Sequence, residues 1–258
     1  MNLTLDLGLA DGYKSRSQRA RRITEGWFEE NMYCPACPSP RLSRTRANTR
    51  VVDFICPSCG AQYQVKARAG VWGRRVRDAA YEPMIERARN NRSPHFAFIG
   101  YNRTAWHVEK LVLVPGHFIT PGTIERCKPL SRRARRAGWI GCNILFYTIP
   151  PDGQVLAVGR SAAVPPEAVR RKWARFSWLS EMPADETDVR GWTLDVLRCV
   201  RTFGRRVFTS KEIYAFEEEL AALYPGNHTI PDQIRKQLQR LRDRGIVRFL
   251  GGGRYVAE

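Results

Sequence analysis

Acidic side chains are the scarce component of this chain of 258 residues. Asp and Glu number 25 against 43 Lys and Arg, a formal net charge of +18. That shortage excludes a polycationic partner and directs attention to a polyanion. Nucleic acid comes first, with a ribosome or a charged membrane surface as alternatives. Long apolar runs are also missing, which excludes a membrane-spanning helix and any membrane partner of that kind. Met1-Asn2-Leu3-Thr4-Leu5-Asp6 has no basic segment leading into an apolar stretch. No export signal is therefore expected, and a cytoplasmic location is. No internal repeat or low-complexity tract is evident. The seven cysteines, with nothing directing the chain to an oxidising compartment, do not suggest a disulfide framework.

What is present suffices for two modest domains, each with its own core: 43% of residues are hydrophobic. The charge is uneven. Residues 188–258 hold 13 basic and 9 acidic residues, a net of +4, which leaves +14 of the +18 for residues 1–187. A phosphate partner would therefore meet mainly the N-terminal part. A polar, Pro-containing stretch near 180–188 sets the expected boundary, dividing the chain into domains 1–187 and 188–258.

Ala20, Ile23 and Trp27 recur at helical spacing and predict a helix from Ser15 to about Tyr33, with Ser15 or Ser17 as its cap. Residues 50–56 and 61–67 read as two strands joined by the turn Pro57-Ser-Cys-Gly60. Helix is expected again over Asp78–Asn90, then apolar strands at His95–Tyr101 and Glu109–Val114 and a further strand near Gln154–Val158. This order suits an α/β domain with a central sheet. Residues 125–143 read as a basic loop, with six Lys and Arg against Glu125. In the last segment, helices are expected at Trp192–Phe203, from the Thr209-Ser-Lys-Glu212 capping box through Leu223, and at 230–244. A hairpin over 246–256 follows. Three helices and a wing are the layout of a winged helix.

Three groups of residues carry chemistry. Cys34-x2-Cys37 and Cys56-x2-Cys59, 18 residues apart, have the spacing of a tetrahedral Zn2+ site. Four thiolates leave no open position for water, so such a zinc is structural; the alternative is four unrelated thiols. Between and beyond the knuckles lie Asp53 and Gln64-x-Lys66, which resemble the PD-(D/E)xK nuclease core. In that core an acid and an acid-x-Lys step gather Mg2+ and a water against phosphate. Alternation puts Gln64 and Lys66 on one face, and the Val65 carbonyl is a third candidate Mg2+ ligand. On spacing alone the pattern is read more readily as a solvated hairpin face. Gln64 departs from the usual acid and brings no charge; Glu25, Glu82 and Glu86 are candidate compensators. The third group is a set of DNA-reading side chains. Arg135, Arg136, Trp139 and Asn143 lie on the basic loop, and Arg235, Gln237 and Arg240 on the last helix. Arg and Asn read purine edges and an indole packs on methyl groups. A phosphate-contacting loop with a core tryptophan, and a solvated helix face, remain the alternatives.

Longer stretches give a closer likeness. They are Tyr13-Lys-Ser15, Thr24-Glu25-x-Trp27, Tyr33-Cys-Pro-x-Cys37, Val52-Asp-Phe54, Arg135-Arg-Ala-Gly-Trp-Ile-Gly-Cys-Asn143, Arg190-Gly-Trp-Thr193 and Ile234-Arg-x-Gln-Leu-Gln-x-Leu-Arg-Asp243. Together they resemble the DpnI-like methyl-directed restriction endonucleases, the Dam-replacing family, over nearly the whole chain. The resemblance implies an α/β PD-(D/E)xK core with an embedded four-cysteine zinc site and a C-terminal winged-helix domain. It further implies a monomeric enzyme that cuts duplex DNA at GATC when adenine carries an N6-methyl group. Asp53, Gln64 and Lys66 would be catalytic, with Trp139 where the methyl groups are sensed. Position 64 is normally Glu in this family. The alternative is therefore a methyl-DNA-binding protein or regulator of the same fold that has lost cleavage.

Overall fold

Strict alternation along two central strands determines how the N-terminal part is built. Phe96, Phe98, Val112 and Val114 are buried in one apolar cluster, and Ala97, Ile99, Leu111 and Leu113 in another. A sheet with both faces apolar must be covered on both sides. The computed structural model meets that demand; it describes every residue except 47, 48, 50, 184 and 185.

The first helix, α1, spans Arg16–Asn31 and buries Ile23, Trp27 and Phe28 on one sheet face. Each such side chain contributes about 1.5–3 kcal/mol. Ser15 precedes it, but its hydroxyl meets Ser17 Oγ at 3.0 Å and caps no backbone N–H. Seven strands form the main sheet: β1 (Ser43–Arg44), β2 (Phe54–Ile55), β3 (Gln62–Ala69), β5 (His95–Asn102), β6 (His107–Val114), β9 (Val155–Gly159) and β10 (Ala162–Ala163), in that order across it. Among the described residues the one parallel pair is β3–β5, in the register Gln64↔Phe96 and Lys66↔Phe98. A second sheet has the order β4 (Arg75–Ala80), β8 (Gly141–Leu145), β7 (Ile124–Arg126). Together with α2 (Tyr81–Arg89) it belongs to the layer over the other face.

Several expectations are corrected. Asp78 lies in β4, not in a helix. Ala80 is still extended at ψ 139°, and the helix begins only at Tyr81, where Pro83 fits the first turn. The strand expected over 50–56 is regular only at Phe54–Ile55, because Val51 has φ +63°; Arg50 lies outside the described residues. The basic loop over 125–143 is edged by β7 and β8, so its glycine-rich end is a strand.

Helix α3 (Pro166–Ala174) buries Val169 and Trp173 in the cluster that holds α1. The C-terminal part comprises α4 (Thr187–Thr202), β11 (Val207–Thr209), α5 (Ser210–Tyr214), α6 (Glu217–Leu223), α7 (Ile230–Asp243), β12 (Val247–Gly251) and β13 (Arg254–Ala257). The Thr209–Glu212 capping box forms as expected. The single helix expected after it is broken at Phe216, whose ψ is 6°. A third strand, β11, joins the wing in the order β11-β13-β12. Both parts share one apolar cluster, running from Phe98 and Phe118 through Trp178 to Leu197 and Leu241. Polar ties reinforce the junction: Arg190 Nη2 donates to the Ala88 carbonyl at 2.9 Å, and Arg201 pairs with Asp152 at 2.7 Å.

Candidate active site and nucleic-acid interface

β3 is hydrogen-bonded to β5 on one edge, but β2 covers its other edge only at Gln62 and Tyr63. Beyond Tyr63 that edge is taken by a side chain. The Val65 N–H donates to Asp53 Oδ2 at 2.9 Å. Asp53 is itself held by its backbone, its N–H donating to Tyr63 O and its carbonyl accepting from the Thr45 N–H. In an extended strand the N–H and C=O of one residue leave on the same edge. The Val65 carbonyl therefore also points to the Asp53 side.

Asp53, Gln64, Val65 and Lys66 line one cleft of about 430 Å³, with Arg21, Thr24 and Glu25 of α1 on its wall. Burial raises the Asp53 carboxyl above its ordinary value and Glu25 adds to that, while the Val65 N–H, Lys66 and Arg21 oppose it. Glu25 is occupied by two guanidinium groups, Arg21 at 2.5 Å and Arg44 at 2.9 Å. Glu86 lines a different cavity, with Gln62 and Arg87.

Gln64 and Lys66 share a face, as alternation requires, and both reach a carboxylate that the motif does not contain. Asp78 Oδ1 accepts from Gln64 Nε2 at 2.9 Å and pairs with Lys66 Nζ at 2.5 Å. The Asp78 side chain is fully buried. Gln64 Oε1 is buried and has no hydrogen-bond partner among the described residues. Leaving such an oxygen unpaired costs about 1–3 kcal/mol unless something else takes it. An Asp53 carboxylate, an orphaned amide oxygen and a strand-edge carbonyl make an all-oxygen donor set of the kind hard cations take.

The four knuckle cysteines converge beside this strand. Their Sγ atoms all lie within 4.8 Å of one another, with Cys34···Cys59 at 3.7 Å and Cys37···Cys56 at 3.5 Å. These separations are close to the edge of a tetrahedron with metal–sulfur bonds of about 2.3 Å. The cluster could hold a metal. Burial pushes the Cys34 thiol up to about 12, against the Tyr63 hydroxyl beside it. Burial also opposes ionisation of Cys56, but the N–H groups of Cys59 and Ser58 draw it down to about 6. Tyr63, on β3, thus joins the cysteine cluster to the strand that carries Gln64 and Lys66.

The basic segment between β7 and β8 is closed by hydrogen bonds from Leu130 N to Trp139 O and from Gly138 N to Leu130 O. Arg135 and Arg136 are exposed. Arg136 stacks 4.8 Å from the half-buried Trp139 ring, and Arg77 approaches it at 5.9 Å. A Cβ at Gly141 would lie 2.7 Å from Trp139 Cη2, so a larger residue there must push the ring. Asn143 is half-buried and donates to Glu125 Oε2 at 2.8 Å. On α7, Arg235, Lys236 and Arg242 are exposed and Arg240 is half-buried. Gln237 is a correction. It is 3% exposed and its Oε1 accepts from Thr193, so it packs α7 on α4 instead of facing outward. Its i−3 and i+4 neighbours Ile234 and Leu241 mark the same inward stripe.

Sequence reasoning did not single out Asp78, and its only signal was an acid flanked by the strand-forming Val76 and the small Ala79 and Ala80. Among the described residues no helix is long and apolar enough to cross a membrane. Family comparison covers both parts of the chain. The model of the Dam-replacing family (DpnI) matches residues 1–182, and that of the Dam-replacing HTH domain matches residues 188–257. With a mixed α/β core, a close four-cysteine cluster and a C-terminal helix-turn-helix unit, the chain belongs to the DpnI (Dam-replacing) family.

Proposed function

We propose that the protein is a methyl-directed type II endonuclease that hydrolyses duplex DNA at GATC sites carrying N6-methyladenine, with Mg2+ as catalytic ion and Zn2+ in the cysteine clamp. Residues 1–187 form its PD-(D/E)xK-like catalytic domain and 188–258 its winged-helix reader. The observation that carries this reading is the cleft on β3, where Asp53, the Val65 edge, Gln64 and Lys66 converge in a chain of this family.

Asp53, Gln64 Oε1 and the Val65 carbonyl would hold Mg2+, which when bound polarises a phosphoryl oxygen and lowers the pKa of water. Asp53 supplies a formal negative charge on an immobile carboxylate, held by the Val65 N–H. Lys66 directs an N–H toward the attacking water or the phosphate. The new bond is from water oxygen to phosphorus and the bond broken is the phosphodiester P–O, in line with it. Arg21 lines the cleft, paired with Glu25 and 3.7 Å from Asp53, so a phosphate there would compete with these carboxylates for it. Trp139 offers an apolar face to the methyl group. One methyl is worth about 1 kcal/mol on transfer. Reading the site from both domains multiplies that small preference.

Digestion of Dam-methylated and unmethylated plasmid with Mg2+ tests the proposal. Cutting of the methylated form alone is expected. Equal cutting of both removes the methyl requirement, and no cutting with Mg2+ or Mn2+ removes the nuclease. Gln64 favours a second reading, a methyl-DNA-binding protein without cleavage, because an amide brings no charge to a cation. An inert parent whose Gln64→Glu variant cleaves would decide for it.

A further inference from the structure

The carboxamide of Gln64 has two ends, and only one is in use. Nε2 donates to Asp78 Oδ1, while Oε1 is buried with no partner among the described residues. An ionised carboxylate only accepts. Asp78 therefore dictates the polarity of the amide, drawing the nitrogen to itself and leaving the oxygen for a cation. The same Asp78 oxygen meets Lys66 Nζ at 2.5 Å. Formal charge points the same way. Asp53 and Lys66 beside a neutral Gln64 sum to zero, and Asp78, paired with Lys66, adds the negative charge that an acid at position 64 would bring. The rival acid on α1, Glu25, is spent on Arg21 and Arg44.

We propose that Asp78 is a positioning residue of this site. It orients Gln64 so that Oε1 serves as a cation ligand, and it neutralises Lys66. In this way it makes up for the charge that position 64 lacks. The inference deepens the nuclease reading and rests on it. In structural terms the missing acid is supplied from β4, one layer behind the cleft, instead of from β3.

Mn2+ binding to the full chain, followed by electron paramagnetic resonance without DNA, gives a readout independent of cleavage. The wild type is expected to bind Mn2+ and Asp53→Asn to lose it. Asp78→Asn should weaken binding at least tenfold in protein that circular dichroism shows to be folded, with metal-free DNA binding near wild type. In a Gln64→Glu background, where position 64 carries its own charge, Asp78→Asn should cost less than threefold. Should D78N not fold, Asp78→Ser, smaller and leaving room for water, carries the same comparison. Binding unchanged in D78N, or an equal loss in both backgrounds, overturns the role of Asp78 and leaves the nuclease reading standing. A wild type that neither binds Mn2+ nor cleaves overturns the nuclease reading, and the role of Asp78 with it.

Discussion

Asp53 pays for its position in stability. Burial raises its carboxyl above the ordinary value, chiefly against the help of the Val65 N–H and Lys66. A raised folded-state value stabilises the fold at low pH, and that contribution is lost as pH rises through it. At neutral pH and without divalent ions, Asp53→Asn should therefore melt at the same temperature or about 1–3 °C higher. The gap should close as pH falls through the raised value, while cleavage is abolished. Calorimetry across pH beside a cleavage assay checks both halves, and a large drop in melting temperature at neutral pH would contradict it. Lys66→Met should retain DNA binding and lose at least about 100-fold in single-turnover rate, the lower range for removing one N–H donor from the developing charge. The pair Gln64 and Lys66 was legible because a spacing of two forces one strand face. Asp78 was not, since its contact with Gln64 spans 14 residues and passes through a chain reversal that no local pattern encodes.

At the scale of elements, the cysteine clamp and the Trp139 platform each support a separate prediction. Cys34 lies just after α1, and Tyr63 touches it at 3.1 Å, so losing a bound metal loosens α1, β2 and β3 together. Metal analysis should find one zinc per chain. Cys37→Ser or a strong chelator should lower the melting temperature by about 10 °C or more, because structural zinc binding is folding free energy. An unchanged melting temperature with the metal removed would contradict the clamp. Trp139→Ala should cut the preference for methylated over unmethylated duplex by about fivefold per methyl contact, from a transfer energy near 1 kcal/mol. Gly141→Ala, which pushes on the same ring, should move the preference in the same direction; competition binding reads both. The knuckles and the α7 stripe were visible in spacing alone. The second sheet was hidden because β8 begins in the glycine-rich end of a basic segment, and its strand character comes from pairing with β4 and β7. Gln237 reads as a DNA contact for a similar reason: the rhythm of charge on α7 is plain in the sequence, but the bond that Gln237 accepts from Thr193 depends on how α4 packs.

Over the whole molecule, the helix-turn-helix family of the C-terminal part and the excess of basic charge point to DNA, and a footprint over both parts is expected. Six phosphate contacts would give a slope of log K against log salt of about −5. Replacing Arg135 and Arg136 together by Ala should make that slope shallower by about 2, weakening methylated and unmethylated duplexes alike. Charge asymmetry was readable from composition. How the two parts meet was not, because Arg190, Trp178 and Phe118 find their partners only in the folded chain. Hydrolysis of methylated DNA in the β3 cleft can be followed by single-turnover cleavage with Mg2+. The substrates are short duplexes holding one GATC, with N6-methyladenine on both strands or on neither, cut by the wild type and by Asp53→Asn. The wild type is expected to cleave the methylated duplex far faster than the unmethylated one, and Asp53→Asn to cleave neither. Equal rates on the two duplexes, or full activity in Asp53→Asn, would contradict it.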